Sequence, residues 1–477
     1  MDKTSIIFGN PIDKKTIKKA QKTKKKYIKK YGDDSDKEYY LTAEPIKTLD
    51  FINVDNLVFS DKKVTLEDNA LIVGNIRMGF GHYRISIAMA SCAHAMGYKP
   101  YWLDLASFDA TGSKMIREQN NMYSLASKIS QKSVLFNKII WEPLNSEGFR
   151  KLTYNAKDQK NSELLVPILK NLDKDVPYIA THVWPSQAAI HAGFTHVVNA
   201  IPDNWPMGLH LSEGAIHTVQ TPHAYLGYKM LNGFDKKPLL SMPDDSLYMV
   251  GHFIDHELVS NLEQDNNHRL NRIKNNKPLR LLFTVGGAGA GFDMFAAMIE
   301  YLKPYVEDNK VTLFINFGDH KDVYEKLLKK VKGINAKTFF NEYDKLTGFA
   351  KNANDSDVTG IYAIYNKDIF EAVYSTNMLM RVSDILVTKP SELAYYPIPK
   401  LFMRHIGGHE VYGAINSVEL GDGTFECATK KSVCEMLSRL INDKDILSHF
   451  VHRINELKSQ GYYNGGYECV KLAVKGK

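Results

Sequence analysis

From residue 70 onward, apolar runs alternate with amphipathic stretches in a repeating order. ALIVGN (70–75) is a buried-strand run, RISIAMASCAHAMG (84–97) has helical spacing and stops at Gly97, and KPYWLDL (99–105) is a second strand. VPYIATHV (176–183), THVVNAIPD (195–203), AIHTVQTP (215–222) and SLYMVGHF (246–253) predict further strands, with SQAAIHAG (186–193) as a short helix between the first two. Strands alternating with helices imply a parallel sheet with right-handed crossovers.

A polar stretch, NLEQDNNHRLNRIKNNKP (261–278), reads as a linker, and the order then restarts. LRLLFTVGGAGAG (279–291) leads into the helix FDMFAAMIEYLKPYV, the strand KVTLFINFGD and the helix DVYEKLLKKVK. After a polar loop at 352–358 come DIFEAVYSTNMLMRVS, DILVTKP and KLFMRH. The unit of strand, glycine loop and helix thus recurs near residues 74 and 286. The expected organisation is a basic tail and lead-in (1–65), an α/β domain (66–260), a second α/β domain (277–440) and a helical tail (441–477). A chain of 477 residues fits two cores better than one.

Charge changes the picture at one place. The net charge is +7, yet residues 1–31 hold eleven lysines against Asp2 and Asp13, so the rest of the chain is slightly acidic. Lysines 14–30 read as a solvated face, as a surface for anionic lipid, or, least favoured, as a nucleic-acid contact. No apolar run reaches the length of a membrane span, and the N-terminus lacks a secretory pattern. Cys92, Cys427, Cys434 and Cys469 form no CxxC, which argues against a zinc ribbon or disulfide framework and for a reducing cytoplasm.

Two glycine loops carry the candidate chemistry. TVGGAGAGF (284–292) lets backbone approach a ligand and ends on a helix N-terminus, which suits a diphosphate; it is not a Walker loop. Glycines that only allow close helix packing are the plainer reading. The first loop, Gly79-Phe80-Gly81-His82, fits two positions of a dinucleotide fingerprint, with Asp104 placed for a ribose, but Arg84 stands where the third glycine belongs. A neutral His82 could accept a proton from a substrate hydroxyl; the plainer reading is a histidine that satisfies its loop. Lys389, Ser391 and Glu392 follow the strand at 384–388, and His409, Glu410 and Asn416 follow the next. The His252/His256 and His405/His409 pairs lack an HExxH context, so no metal is expected. Trp184 and Trp205 each follow a strand end and read as packing.

These residues resemble the GT-B glycosyltransferases, in the branch of the monogalactosyldiacylglycerol synthases, the processive diacylglycerol glucosyltransferases and the peptidoglycan N-acetylglucosaminyltransferase. The resemblance spans roughly 70–440 and rests on Gly79–His82, Thr181-His182, Ile201-Pro202-Asp203, Gly286–Gly291, Asp384 with Thr388-Lys389-Pro390, and Gly408-His409-Glu410 with Asn416. It implies two Rossmann-like domains facing a central cleft. It also implies an inverting, metal-independent transfer from a nucleotide sugar, a UDP-sugar first, to an acceptor hydroxyl, with a lipid acceptor favoured. His82 would be the base, with Asp203 its rival. Gly79, Gly81, Arg84 and His182 would stand on the acceptor side. Gly286, Gly287, Ala288, Gly289, Lys389, Ser391, Glu392, His409, Glu410 and Asn416 would hold the donor. No cofactor is expected beyond the donor itself. The sequence departs from the family where its Gly-Gly after Lys-Pro is Ser391-Glu392, and where Gln gives way to His409. A UDP-sugar 2-epimerase on the same fold and a non-catalytic nucleotide-sugar binder are the alternatives, with a dehydrogenase behind them. The expected location is cytoplasmic, peripheral to the inner face of the membrane.

Overall fold

The computed structural model describes residues 3–63, 65–132, 137–141, 143–285 and 291–475. The chain forms two compact units. The first takes Met1–His256, Gly407–His409 and Asn464–Lys477; the second takes Glu257–Ile406 and Glu410–Tyr463.

In the first unit the strands are β1 (Ile6–Ile7), β2 (Asn10–Pro11), β3 (Tyr40–Pro45), β4 (Asp55–Ser60), β5 (Ala70–Asn75), β6 (Lys99–Asp104), β7 (Tyr178–Ala180), β8 (Val197–Ala200), β9 (Ile216–Val219) and β10 (Leu247–Met249). β1 and β2 pair by themselves, and the other eight form one sheet in the order β10-β9-β8-β7-β5-β6-β4-β3. All its pairings are parallel except the β3–β4 edge hairpin. β5 and β6 are buried at every residue, which is why they read as continuous apolar runs.

The second unit holds β11 (Leu279–Thr284), β12 (Val311–Asn316), β13 (Ala336–Phe340), β14 (Gly360–Tyr365), β15 (Ile385–Thr388), β16 (Lys400–Met403) and β17 (Gly423–Cys427). Its all-parallel sheet runs β13-β14-β12-β11-β15-β16-β17. The architecture is therefore α/β, with two Rossmann-like units, the components expected of a GT-B chain. In each sheet the first long parallel strand, β5 or β11, lies between its successor and a strand from later in the chain. That reversal is a topological switch point, where open α/β sheets bind ligands beyond their carboxyl ends.

Three expectations about organisation change. Residues 1–65, expected as a basic tail and a lead-in with one or two short strands, are integrated into the first unit: β3 and β4 complete its sheet, and Lys14–Tyr31 is a helix with Ala20 and Tyr27 buried. Asp13 caps that helix by accepting the Thr16 N–H at 2.9 Å, and Lys24–Glu163 (2.6 Å) and Lys30–Glu118 (2.9 Å) tie it down. The stretch at 261–278 is not a linker but mostly a helix, Leu262–Lys274, which buries Asp265, Asn266, Arg269 and Arg272 inside the unit. Arg272 lies 2.9 Å from the buried Asp384, and Arg269 donates to Ser383 O (2.8 Å) and Met380 O (2.7 Å). The C-terminal segment divides: Lys444–Ser459 belongs to the second unit, whereas Gly465–Val474 returns to the first and packs on the Gly81–Ala95 helix.

Candidate active site

In the first unit the loops after β5 and β7 meet at the switch point. Gly79 has φ +77°, a left-handed conformation that suits glycine, and it turns the chain from β5 into the Gly81–Ala95 helix. His82, in the first turn, donates from Nδ1 to Thr181 O at 2.7 Å. In the neutral ring that bond leaves Nε2 as a lone pair, the form a base requires. The His82 ring meets that of His182 edge-on, with centroids 4.8 Å apart. His182 caps the next helix, its Nδ1 accepting the Trp184 N–H at 3.2 Å. Burial, reinforced by the neighbouring His82 and His210, pushes the His182 imidazolium well below the ordinary range, so this ring is neutral.

Asp203 stands on the loop after β8. Its carboxylate is 34 % exposed and lies 3.2 Å from His210 Nε2. His210 Nδ1 lies 2.7 Å from the Tyr228 hydroxyl, which accepts the Met207 N–H at 3.1 Å. In the neutral ring these partners assign one tautomer: Nε2–H donates to Asp203, and the Tyr228 O–H donates to Nδ1. Burial works to raise the Asp203 carboxyl. The hydrogen bond from His210 overcomes it, together with the positive charge that His409, His210 and His82 carry when protonated, and the group is held below the usual carboxylate range. His409, expected on the donor side, is grouped with the first unit. His210 and Tyr228 carried no motif in the sequence, and only the fold brings them to Asp203.

Arg84, expected on the acceptor side, is buried (3 % exposed). Asp104 is buried and accepts from the Tyr83 hydroxyl (2.7 Å) and Ala106 N–H (2.8 Å), which occupies the group that a dinucleotide ribose would need. Trp184 is buried packing (4 % exposed), and Trp205 is covered by the Arg150 guanidinium at 4.5 Å.

In the second unit a pocket lies beyond β11, β15 and β16, lined by Thr284, Val285, Gly291, Phe292, Lys389, Met403, Arg404 and Ile406, among others. Gly291, with φ +77°, opens the Phe292–Glu307 helix without a side-chain cap. Gly286, Gly287, Ala288 and Gly289 lie outside the described residues. Lys389 pairs with Glu410, whose other oxygen accepts the Ile406 N–H at 2.8 Å. Glu410 is thus engaged at both oxygens and orients Lys389 at the pocket. Ser391 and Glu392 sit at the start of a short turn, Glu392–Tyr395, and Asn416 lies on the Val411–Leu420 helix. Arg404 and Thr284 were not anticipated as lining residues. Beside Arg404, His405 Nδ1 contacts both Glu426 oxygens at 2.8 and 2.9 Å, and that hydrogen bond raises its pKa. No group of three or more metal-ligating side chains occurs among the described residues.

Residues 6–230 match a family model described as a domain of unknown function (DUF6937), and residues 242–474 match a second, DUF6938. No curated protein matches the sequence. Among solved structures the chain is similar to S. aureus MnaA in its UDP co-structure, at 14 % identity over 85 % of this chain and 97 % of that one, with a TM-score of 0.45. It is similar to UDP-GlcNAc 2-epimerase from Neisseria meningitidis bound to UDP-GlcNAc, at 11 % identity over 85 % and 100 %, TM-score 0.46. A third is alpha,alpha-trehalose 6-phosphate synthase from Burkholderia multivorans, at 10 % identity over 85 % and 98 %, TM-score 0.46.

Proposed function

We propose that the chain is a glycosyltransferase that moves a sugar from a nucleotide sugar, a UDP-sugar by the sequence resemblance, to an acceptor hydroxyl. The observation that carries this reading is that each sheet presents a different chemical station at its switch point. The first offers a base-ready imidazole, His82, beside the Asp203–His210–Tyr228 chain. The second offers a basic pocket with Lys389 and Arg404 at a glycine-bounded helix N-terminus, a setting suited to a diphosphate.

In this scheme His82 Nε2 takes the proton from the acceptor hydroxyl as its oxygen attacks the anomeric carbon. Lys389, Arg404 and the helix N-terminus stabilise the charge that grows on the leaving diphosphate. A lipid acceptor at an anionic membrane surface is supported by the Lys14–Tyr31 helix, on which nine lysines are exposed, and by the exposed Met122, Leu125 and Ile129 in the same unit. No described helix is long and apolar enough to cross a membrane.

The test is product analysis with UDP-sugars, first alone and then with lipid and sugar acceptors. Transfer that depends on acceptor supports the proposal. Conversion of the sugar with donor alone would replace it with an epimerase, and nucleotide binding without any product would replace it with a binder.

A further inference from the structure

The turn that bears His210 is held from within the first unit by three distant carboxamides. Asn155 Nδ2 donates to Gly208 O at 2.8 Å and to Leu211 O at 2.6 Å. Gln187 Nε2 donates to the same Leu211 O at 2.9 Å, and Asn199 Nδ2 donates to His210 O at 2.7 Å. The three side chains come from the Leu152–Ser162 helix, the Val183–Ala192 helix and β8. Asn155 and Gln187 are 0 % exposed and Asn199 is 1 % exposed.

Loops beyond a sheet's carboxyl end usually leave carbonyls to water. Here three carbonyls of one short turn point into a buried layer, where each needs a partner. Backbone contacts add to the hold: Gly208 N–H donates to Arg150 O (3.0 Å) and Leu209 N–H to Phe149 O (3.0 Å). Buried carboxamides contribute little where water could serve as well. Their convergence makes sense if the position of the residue between them has to be set.

We infer that Asn155, Gln187 and Asn199 are positioning residues that fix His210 between Asp203 and Tyr228, in the tautomer that presents Nε2–H to Asp203. The geometry stands by itself; its consequence for transfer rests on the function proposed above. A clamp of this kind keeps the carboxylate ionised and aimed before substrate arrives, so no reorganisation is needed at the moment of reaction.

His217 supplies an internal control. It is buried in the same unit, its Nε2 accepts the Ser212 N–H at 3.0 Å, and its Nδ1 donates to Ser246 O at 3.1 Å, so it holds the opposite tautomer. The experiment is imidazole nitrogen NMR on the full-length protein and on Asn155→Ala and Asn199→Ala. In the native protein His210 should appear as the Nε2–H tautomer and His217 as the Nδ1–H tautomer. In each variant His210 should lose its single-tautomer signature while His217 keeps its own. In transfer assays kcat should fall about 10²-fold with the donor KM unchanged. If His210 keeps its tautomer in both variants, or changes only together with His217, the carboxamides serve the fold alone and the inference is overturned. If the native protein shows both tautomers as described but makes no product, the proposed reaction fails and the positioning role stands.

Discussion

At the scale of single residues, His82 and two aspartates with opposite fates carry the most weight. His82 is held by a backbone carbonyl, which in the neutral ring places the proton on Nδ1 and the lone pair on Nε2. His82→Ala should lower transfer by about 10²–10⁴-fold while leaving nucleotide binding intact; unchanged turnover would move the base role elsewhere. Asp203 and His210 are seven positions apart on one loop, yet Tyr228 and the carboxamides below them come from other elements. For that reason the resemblance points to Asp203 while its partners carry no signal in the sequence.

Asp158 is the contrasting carboxylate. It is 0 % exposed with no hydrogen bond to either oxygen, and burial raises its carboxyl to about 7 against the opposing charge of Lys157. The folded state therefore keeps a proton that the unfolded chain releases near pH 4. Stability from this group is greatest below that pH, declines as the pH climbs toward 7 and levels off above, a loss of roughly 4 kcal/mol. Asp158→Asn should flatten urea-denaturation stability between pH 5 and 8 and be more stable than the native protein at pH 8. Parallel profiles for the two would contradict it.

At the scale of elements, what the sequence hid is what buries polar groups. The parallel strands are readable because both faces are covered: every residue of β5, β6 and β12 is buried and most are apolar. The Leu262–Lys274 helix reads as linker in the sequence because its anchoring residues, Arg269 and Arg272, are of a type that composition assigns to solvent. The Lys14–Tyr31 helix reads as a solvated helix or tail for the same reason: its buried side is narrow, and its lysines dominate the pattern. Docking makes it a rigid basic face, so the proper test keeps the helix and removes its charge. Replacing the exposed Lys18, Lys19, Lys22 and Lys25 by Gln should weaken binding to anionic vesicles by up to about 1 kcal/mol per lysine, with the native affinity falling as salt rises. Salt-insensitive, equal binding by both proteins would mark the lysines as a solvated face.

At the scale of the molecule, two α/β units each present their loops at a switch point, and the terminal helix Gly465–Val474 belongs to the unit the chain left some two hundred residues earlier. The twofold recurrence was visible in the sequence because a glycine loop after a buried strand is a local signal. The return of the last helix was not, because nothing local records which unit an amphipathic helix will join.

The measurement that bears most directly on the central claim is a thermal-shift titration with UDP, comparing the native protein with Lys389→Ala. Nucleotide at about 100 times its dissociation constant adds roughly 2.7 kcal/mol of stability. A clear rise in Tm is expected for the native protein and a much smaller one for the variant at the same concentration. No shift with UDP or with any UDP-sugar, or an equal shift in both proteins, would contradict a nucleotide-sugar site at the second unit's switch point.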